Sequence, residues 1–127
     1  MTATIIKYED RPNFDRGDGV STALLYGKDN AEGTIFTSGF TTFPTGRAAP
    51  MHSHNCCEQV LIISGNAEVE CGGIKTELTA MDNSFIPANV PHRFNNIGDE
   101  PLTIFWIYGE TNAVSYTHLT LPTIPQV

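Results

Sequence analysis

Three of the four histidines in this 127-residue chain fall in two short clusters, the first of which also holds an acidic residue. The first cluster reads His52-Ser53-His54-Asn55-Cys56-Cys57-Glu58, and the second centres on Pro91-His92-Arg93. In an extended chain alternate side chains share a face, so His52, His54 and Glu58 have the same parity and project to one side. His92 completes the set only if its strand lies beside the first. Neutral imidazoles with one carboxylate suit a divalent transition metal such as Fe, Mn, Ni, Zn or Cu, whereas calcium requires more oxygen ligands. Four protein ligands on an octahedral ion leave two positions open, which is the vacancy that metal-centred catalysis uses.

Such a set must be held by elements that bring two segments to one point, and the rest of the chain reads as strands. Apolar residues alternate or form short runs, interrupted about every ten residues by Gly, Pro, Asn or Asp, the pattern of an all-β sandwich or barrel. The expected strands are Ser21–Tyr26, Thr34–Phe43, Gln59–Ser64, Ala67–Cys71, Lys75–Thr79, Ser84–Ile86, His92–Asn96 and Leu102–Tyr108. Gly72-Gly73 marks a tight hairpin, because both residues tolerate positive φ. Residues 9–19 are polar and contain Pro12 and two glycines. They read as an arm or loop, and Thr4–Tyr8 before them is strand-like.

The glycines and prolines around the histidines sharpen the reading. Gly46-x5-His52-x-His54-x3-Glu58-x6-Gly65 is the first motif of the cupin superfamily, and Pro87-x4-His92-x3-Asn96 matches most of its second. The sequence resembles the small single-domain, conserved-barrel (type-2, RmlC-like) cupins over roughly residues 34–108. The resemblance implies a double-stranded β-helix, or jelly-roll barrel, with the metal on His52, His54, Glu58 and His92. Two positions depart from the pattern: Asn89 stands where the second motif has glycine, and its opening glycine is replaced near Met81-Asp82. Asn tolerates the left-handed backbone, so the turn should survive.

The division that follows is an N-terminal arm with the first strand or strands over 1–33, a barrel core over 34–112, and a tail over 113–127. From Val114 onward the tail resembles a translated sequencing adapter, which makes it a non-native stretch in this reading and leaves the native C-terminal sequence unknown. An ordinary terminal strand is the alternative. No role is assigned to His118.

Weaker pocket candidates surround the metal set. Cys56 shares parity with His54 and Glu58; Phe94 and Asn96 share parity with His92; Trp106 and Tyr108 share a face; Arg47 could meet an anion at the barrel mouth. Each also has a plain structural reading: buried thiol, core aromatic, exposed loop arginine. Gln59 has the opposite parity and belongs to packing or solvent.

Charge and composition exclude other classes. Hydrophobic residues at 40% and charged residues at 17% describe an ordinary globular domain, not a disordered one. Fourteen acidic against seven basic residues argue against a nucleic-acid partner, which needs a basic face. No segment approaches the roughly 20 apolar residues of a membrane span. Three cysteines, two of them adjacent, do not form a disulfide framework and point to a reducing cytoplasm.

The expected function is therefore a metal-dependent, dioxygenase-like or isomerase/lyase-like enzyme acting on a small organic molecule. The alternative is a non-catalytic binding or sensor cupin with a structural metal. A metal-free epimerase-like cupin would not need the full ligand set. The resemblance also implies a homodimer.

Overall fold

The computed structural model describes residues 3–117 and the backbone of 122–125; His118 lies outside the described residues. In chain order the strands are β1 (Asn13–Gly17), β2 (Val20–Tyr26), β3 (Thr37–Phe43), β4 (His52–His54), β5 (Glu58–Ser64), β6 (Asn66–Cys71), β7 (Ile74–Thr79), β8 (Asn83–Ile86), β9 (His92–Asn96), β10 (Leu102–Tyr108), β11 (Val114–Thr117) and β12 (Pro122–Pro125). They form two six-stranded sheets, ordered β1-β2-β3-β10-β5-β8 and β12-β11-β4-β9-β6-β7. Every pairing is antiparallel, as in the expected jelly roll.

The core lies between the sheets, and the two-residue period of the strands fills it. Along β10, Leu102, Ile104, Trp106 and Tyr108 are buried while the residues between them are half-buried. Val60 and Ile62 of β5 lie beside them in the same sheet, and Ala67 and Val69 of β6 with Phe94 of β9 face them from the other. Each fully buried aliphatic side chain contributes about 1.5–3 kcal/mol relative to exposure.

Turn chemistry sets the ends of the strands. Gly72 and Gly73 both take positive φ, 62° and 78°, and close the β6–β7 hairpin. Asn89 adopts φ 66° and Met81 φ 79°. The two positions that depart from the motif's glycines thus keep the left-handed backbone that glycine would supply.

Three sequence expectations need correction. Residues 9–19 are not simply a loop: Asn13–Gly17 forms β1, an edge strand exposed along its whole length. With neither face buried, it has no apolar alternation for a sequence to display. Thr4–Tyr8 forms no strand; a 3-10 turn spans Tyr8–Asp10 instead. The third strand begins at Thr37, because Thr34 Oγ1 accepts a 3.2 Å bond from the Phe36 N–H and bends the chain there.

Candidate metal centre

The lead-in to β4 is fixed from both sides. Gly46 turns the chain with φ 75°, the Asn96 N–H donates to the Arg47 carbonyl at 2.9 Å, and Asn89 N–H donates to the His54 carbonyl at 2.8 Å. β4 then lies between β9 and β11. His52 stands directly opposite His92 on β9, while His54 stands opposite Ser115 on β11. This pairing supplies the condition on which His92's membership depended. The three imidazoles cluster with ring centroids 4.6–5.1 Å apart, and their ligand atoms lie within 4.8 Å of one another.

Glu58 arrives by a route that parity did not describe. Residues 55–57 carry the chain from one sheet to the other, so Glu58 opens β5 opposite Tyr108 and Ile86. It still faces the imidazoles, because both sheets turn their inner faces to the same space. Glu58 Oε1 is 3.0 Å from His92 Nε2 and 3.4 Å from His54 Nε2.

The placement of protons gives the cluster its chemistry. Backbone carbonyls only accept, so His52 Nδ1 donates to Pro50 O at 2.7 Å and His92 Nδ1 donates to Val90 O at 2.9 Å. With Nδ1 so engaged, both rings turn Nε2 inward, and His92 Nε2 meets Glu58 Oε1 in a 3.0 Å hydrogen bond. The Ser115 hydroxyl meets His54 Nδ1 at 2.9 Å, and His54 Nε2 is buried without a hydrogen-bond partner among the described residues. Burial, reinforced by the neighbouring His92, lowers His52 to about 4 and keeps it neutral. Burial alone would raise the Glu58 carboxyl, but the His54 and His92 imidazoles more than offset this and hold it at about 2. The ring nitrogens and the buried carboxylate converge on one space, and one of them, His54 Nε2, has no hydrogen-bond partner among the described residues. The donor set therefore fits a divalent transition metal, with neutral imidazoles and one carboxylate as ligands.

A cavity of about 170 Å³ opens beside the cluster, lined in part by His52, Glu58 and His92. Phe94, Trp106 and Tyr108, which the sequence singled out, also line it. Trp106 and Tyr108 stack at 4.7 Å, and Trp106 Nε1 donates to Thr41 Oγ1 at 2.9 Å. Burial pushes the Tyr108 phenol well above its ordinary range, so the hydroxyl stays protonated.

Cys56, Asn96 and Arg47 fall outside that lining. Cys56 packs in the core, where burial raises its thiol to about 11. It is a small apolar filler rather than a ready ligand. Asn96 braces a turn, donating to the Phe43 and Glu100 carbonyls and accepting from Gly98 N–H. Arg47 is exposed on the lead-in loop. Gln59 is exposed as expected.

Sequence reasoning missed Arg16, Thr41 and Ser115, all of which line the cavity. Arg16 lies in the segment read as a loop, and Ser115 lies in the segment set aside as a non-native tail. For Arg16 the only available signal was its shared parity with Phe14.

The family model described as Cupin domain matches residues 39–108. A curated relative, "Polyketide synthase CurC" of Streptomyces cyaneus, is 33% identical over 96 residues, 72% of this chain and 59% of that protein. An RmlC-like cupin from Shewanella frigidimarina superposes with a TM-score of 0.72 at 19% identity, over 84% of this chain and 90% of that one. Oxalate decarboxylase of Bacillus subtilis superposes with a TM-score of 0.76 at 22% identity, over 87% of this chain and 30% of that one. One structure of that decarboxylase concerns its Mn(II) centres. At these identities the solved structures speak to the fold.

Proposed function

The chain belongs to the cupin family, and from that premise we propose that it is a metal-dependent enzyme acting on a small organic molecule. His52, His54, Glu58 and His92 would hold one divalent transition metal, drawn from Fe, Mn, Ni, Zn and Cu. The observation that carries this reading is the buried Nε2 of His54, without a hydrogen bond among the described residues, beside the Glu58 carboxylate.

When bound, such an ion would act as a Lewis acid toward a substrate oxygen, or as a redox centre if it is iron or manganese. The remaining work falls to the protein. Pro50 O and Val90 O fix two ring orientations, and Ser115 fixes the third when its hydroxyl accepts. The stacked Trp106–Tyr108 pair and Phe94 give the cavity an aromatic wall that suits a planar or unsaturated ligand. An engineered cavity of about 150 Å³ takes benzene, so about one ring fits here and a longer substrate must project through the mouth. The relationship to a polyketide synthase component supports a carbonyl-bearing substrate. Dioxygenase-like and isomerase/lyase-like reactions both begin from such a complex.

The first test is elemental analysis of anaerobically purified protein beside His92→Ala. About one equivalent of a transition metal in the wild type, lost in the variant, is the expected result for a site of this ligand set. Equal content in both proteins, or none in the wild type, would overturn the reading. Oxygen uptake or product formation with diketones, phenols and amino acids then tests catalysis.

One observation favours the non-catalytic binding or sensor alternative. Glu58 is the only carboxylate among the described lining residues, so no separate acid or base of that type faces the cavity. Tight ligand binding without turnover would decide for it.

A homodimer is supported by the outer face of the first sheet. There Phe40 packs Phe105 at 5.4 Å and Tyr8 at 5.3 Å, beside exposed Ile63 and Phe85. Free thiols at Cys56, Cys57 and Cys71 support a cytoplasmic location.

A further inference from the structure

Arg16 is the one lining residue with a fixed positive charge among those described, and it comes from an element outside the metal cluster. It makes no hydrogen bond or ion pair with another described residue. Its position is built by the backbone. The β1–β2 register runs Phe14↔Thr22 and Asp15↔Ser21, then shifts before Gly17↔Val20, so Arg16 sits in a bulge. Bulges re-aim a side chain, and the exposed Arg16 lines the cavity together with Val20 and Thr22 of β2. The turn beyond the bulge is pinned by Asp15, whose Oδ1 accepts the Gly17 N–H at 2.8 Å. The neighbouring carboxylate is thereby engaged with backbone.

The geometry points to Arg16 as the specificity residue of this cavity, recognising a small planar substrate that carries a carboxylate or enolate. This rests on the metal-enzyme reading above and names its substrate class. A guanidinium offers a planar fork matched to a carboxylate, and Arg16, though exposed, lines the same cavity as Trp106 and Tyr108. The rest of the molecule argues for such a device. With a net charge of −7 the protein repels anions at long range, so an anionic ligand needs a dedicated local cation. The guanidinium's field also reaches Tyr108, whose ring lies 4.6 Å from that of His54, so the charge and the metal cluster act on one space.

The test is isothermal titration of purified protein with benzoylacetate and with its uncharged amide, for wild type, Arg16→Gln and Arg16→Lys. Wild type should prefer the anion by about tenfold to a hundredfold, the scale of one charge-assisted hydrogen bond. Arg16→Gln should abolish the preference, and Arg16→Lys should keep part of it. A preference undiminished in Arg16→Gln, or none in wild type, overturns the assignment. Metal content measured on the same samples keeps the two claims apart. Metal absent from wild type defeats the metal reading, while the charge preference is read on either form of the protein.

Discussion

The chemistry of the cluster is decided at single atoms. Two imidazoles spend their Nδ1 protons on carbonyl oxygens, and the third meets the Ser115 hydroxyl. Partners of this kind orient metal-ligating histidines, so Ser115→Ala should weaken metal binding by about 10- to 100-fold, read by competition with a chelator. Unchanged affinity would show that the hydroxyl does not set the ring. The metal-free protein should also lose stability on acidification in two stages. His52 titrates at about 4 in the fold against 6.5 ordinarily, so between those values the unfolded chain takes up a proton that the folded one refuses. Its contribution is whole above pH 6.5 and is lost toward pH 4. Glu58 titrates at about 2 against 4.5, so its contribution is whole above pH 4.5 and is lost toward pH 2. Chemical denaturation of EDTA-treated protein across this range, beside His52→Ala, should show the upper stage missing in the variant. An identical profile in both proteins would contradict the assignment.

At the level of elements, the central strand β10 depends on a neighbour with no side chain. Trp106 pairs with Gly39 on β3, and a Cβ at residue 39 would lie 2.6 Å from the Trp106 ring and 2.6 Å from the Ala23 carbonyl oxygen. Gly39→Ala should therefore cost about 1–3 kcal/mol of stability, the usual range for overpacking a close-packed core. Urea denaturation checks it, and a loss within error of zero would mean that the strands shift freely there. The same indole lines the cavity, so the variant should also disturb ligand binding. The strand pattern was legible wherever one face is buried, as on β5, β9 and β10. It failed at β1, whose faces are both exposed, because alternation reports burial and not hydrogen bonding.

For the whole molecule, the question is what covers the outer face of the first sheet. Ile63 is 42% exposed beside Phe40 and Tyr8, and Phe85 is 67% exposed on the neighbouring strand β8. Contiguous apolar surface of this kind marks an interaction site. If it is the dimer interface, Phe85→Glu with Ile63→Glu should convert the protein to a monomer in sedimentation velocity while leaving its metal content unchanged. A wild type that sediments as a monomer would remove the homodimer reading.

Residue types and spacing alone singled out the two histidine clusters, the β class and the turns, because motif spacing, alternation and positive-φ positions are local properties written in one dimension. Even Asn89 and Met81, which break the motif, could be read through the backbone they must adopt. Only the tertiary structure decided that Glu58 reaches the cluster from the opposite sheet, that Ser115 stands behind His54, and that Arg16 joins the cavity while Arg47 does not. Those are facts of strand pairing across long separations. Register between distant segments depends on the summed packing of both sheets, which no local spacing encodes.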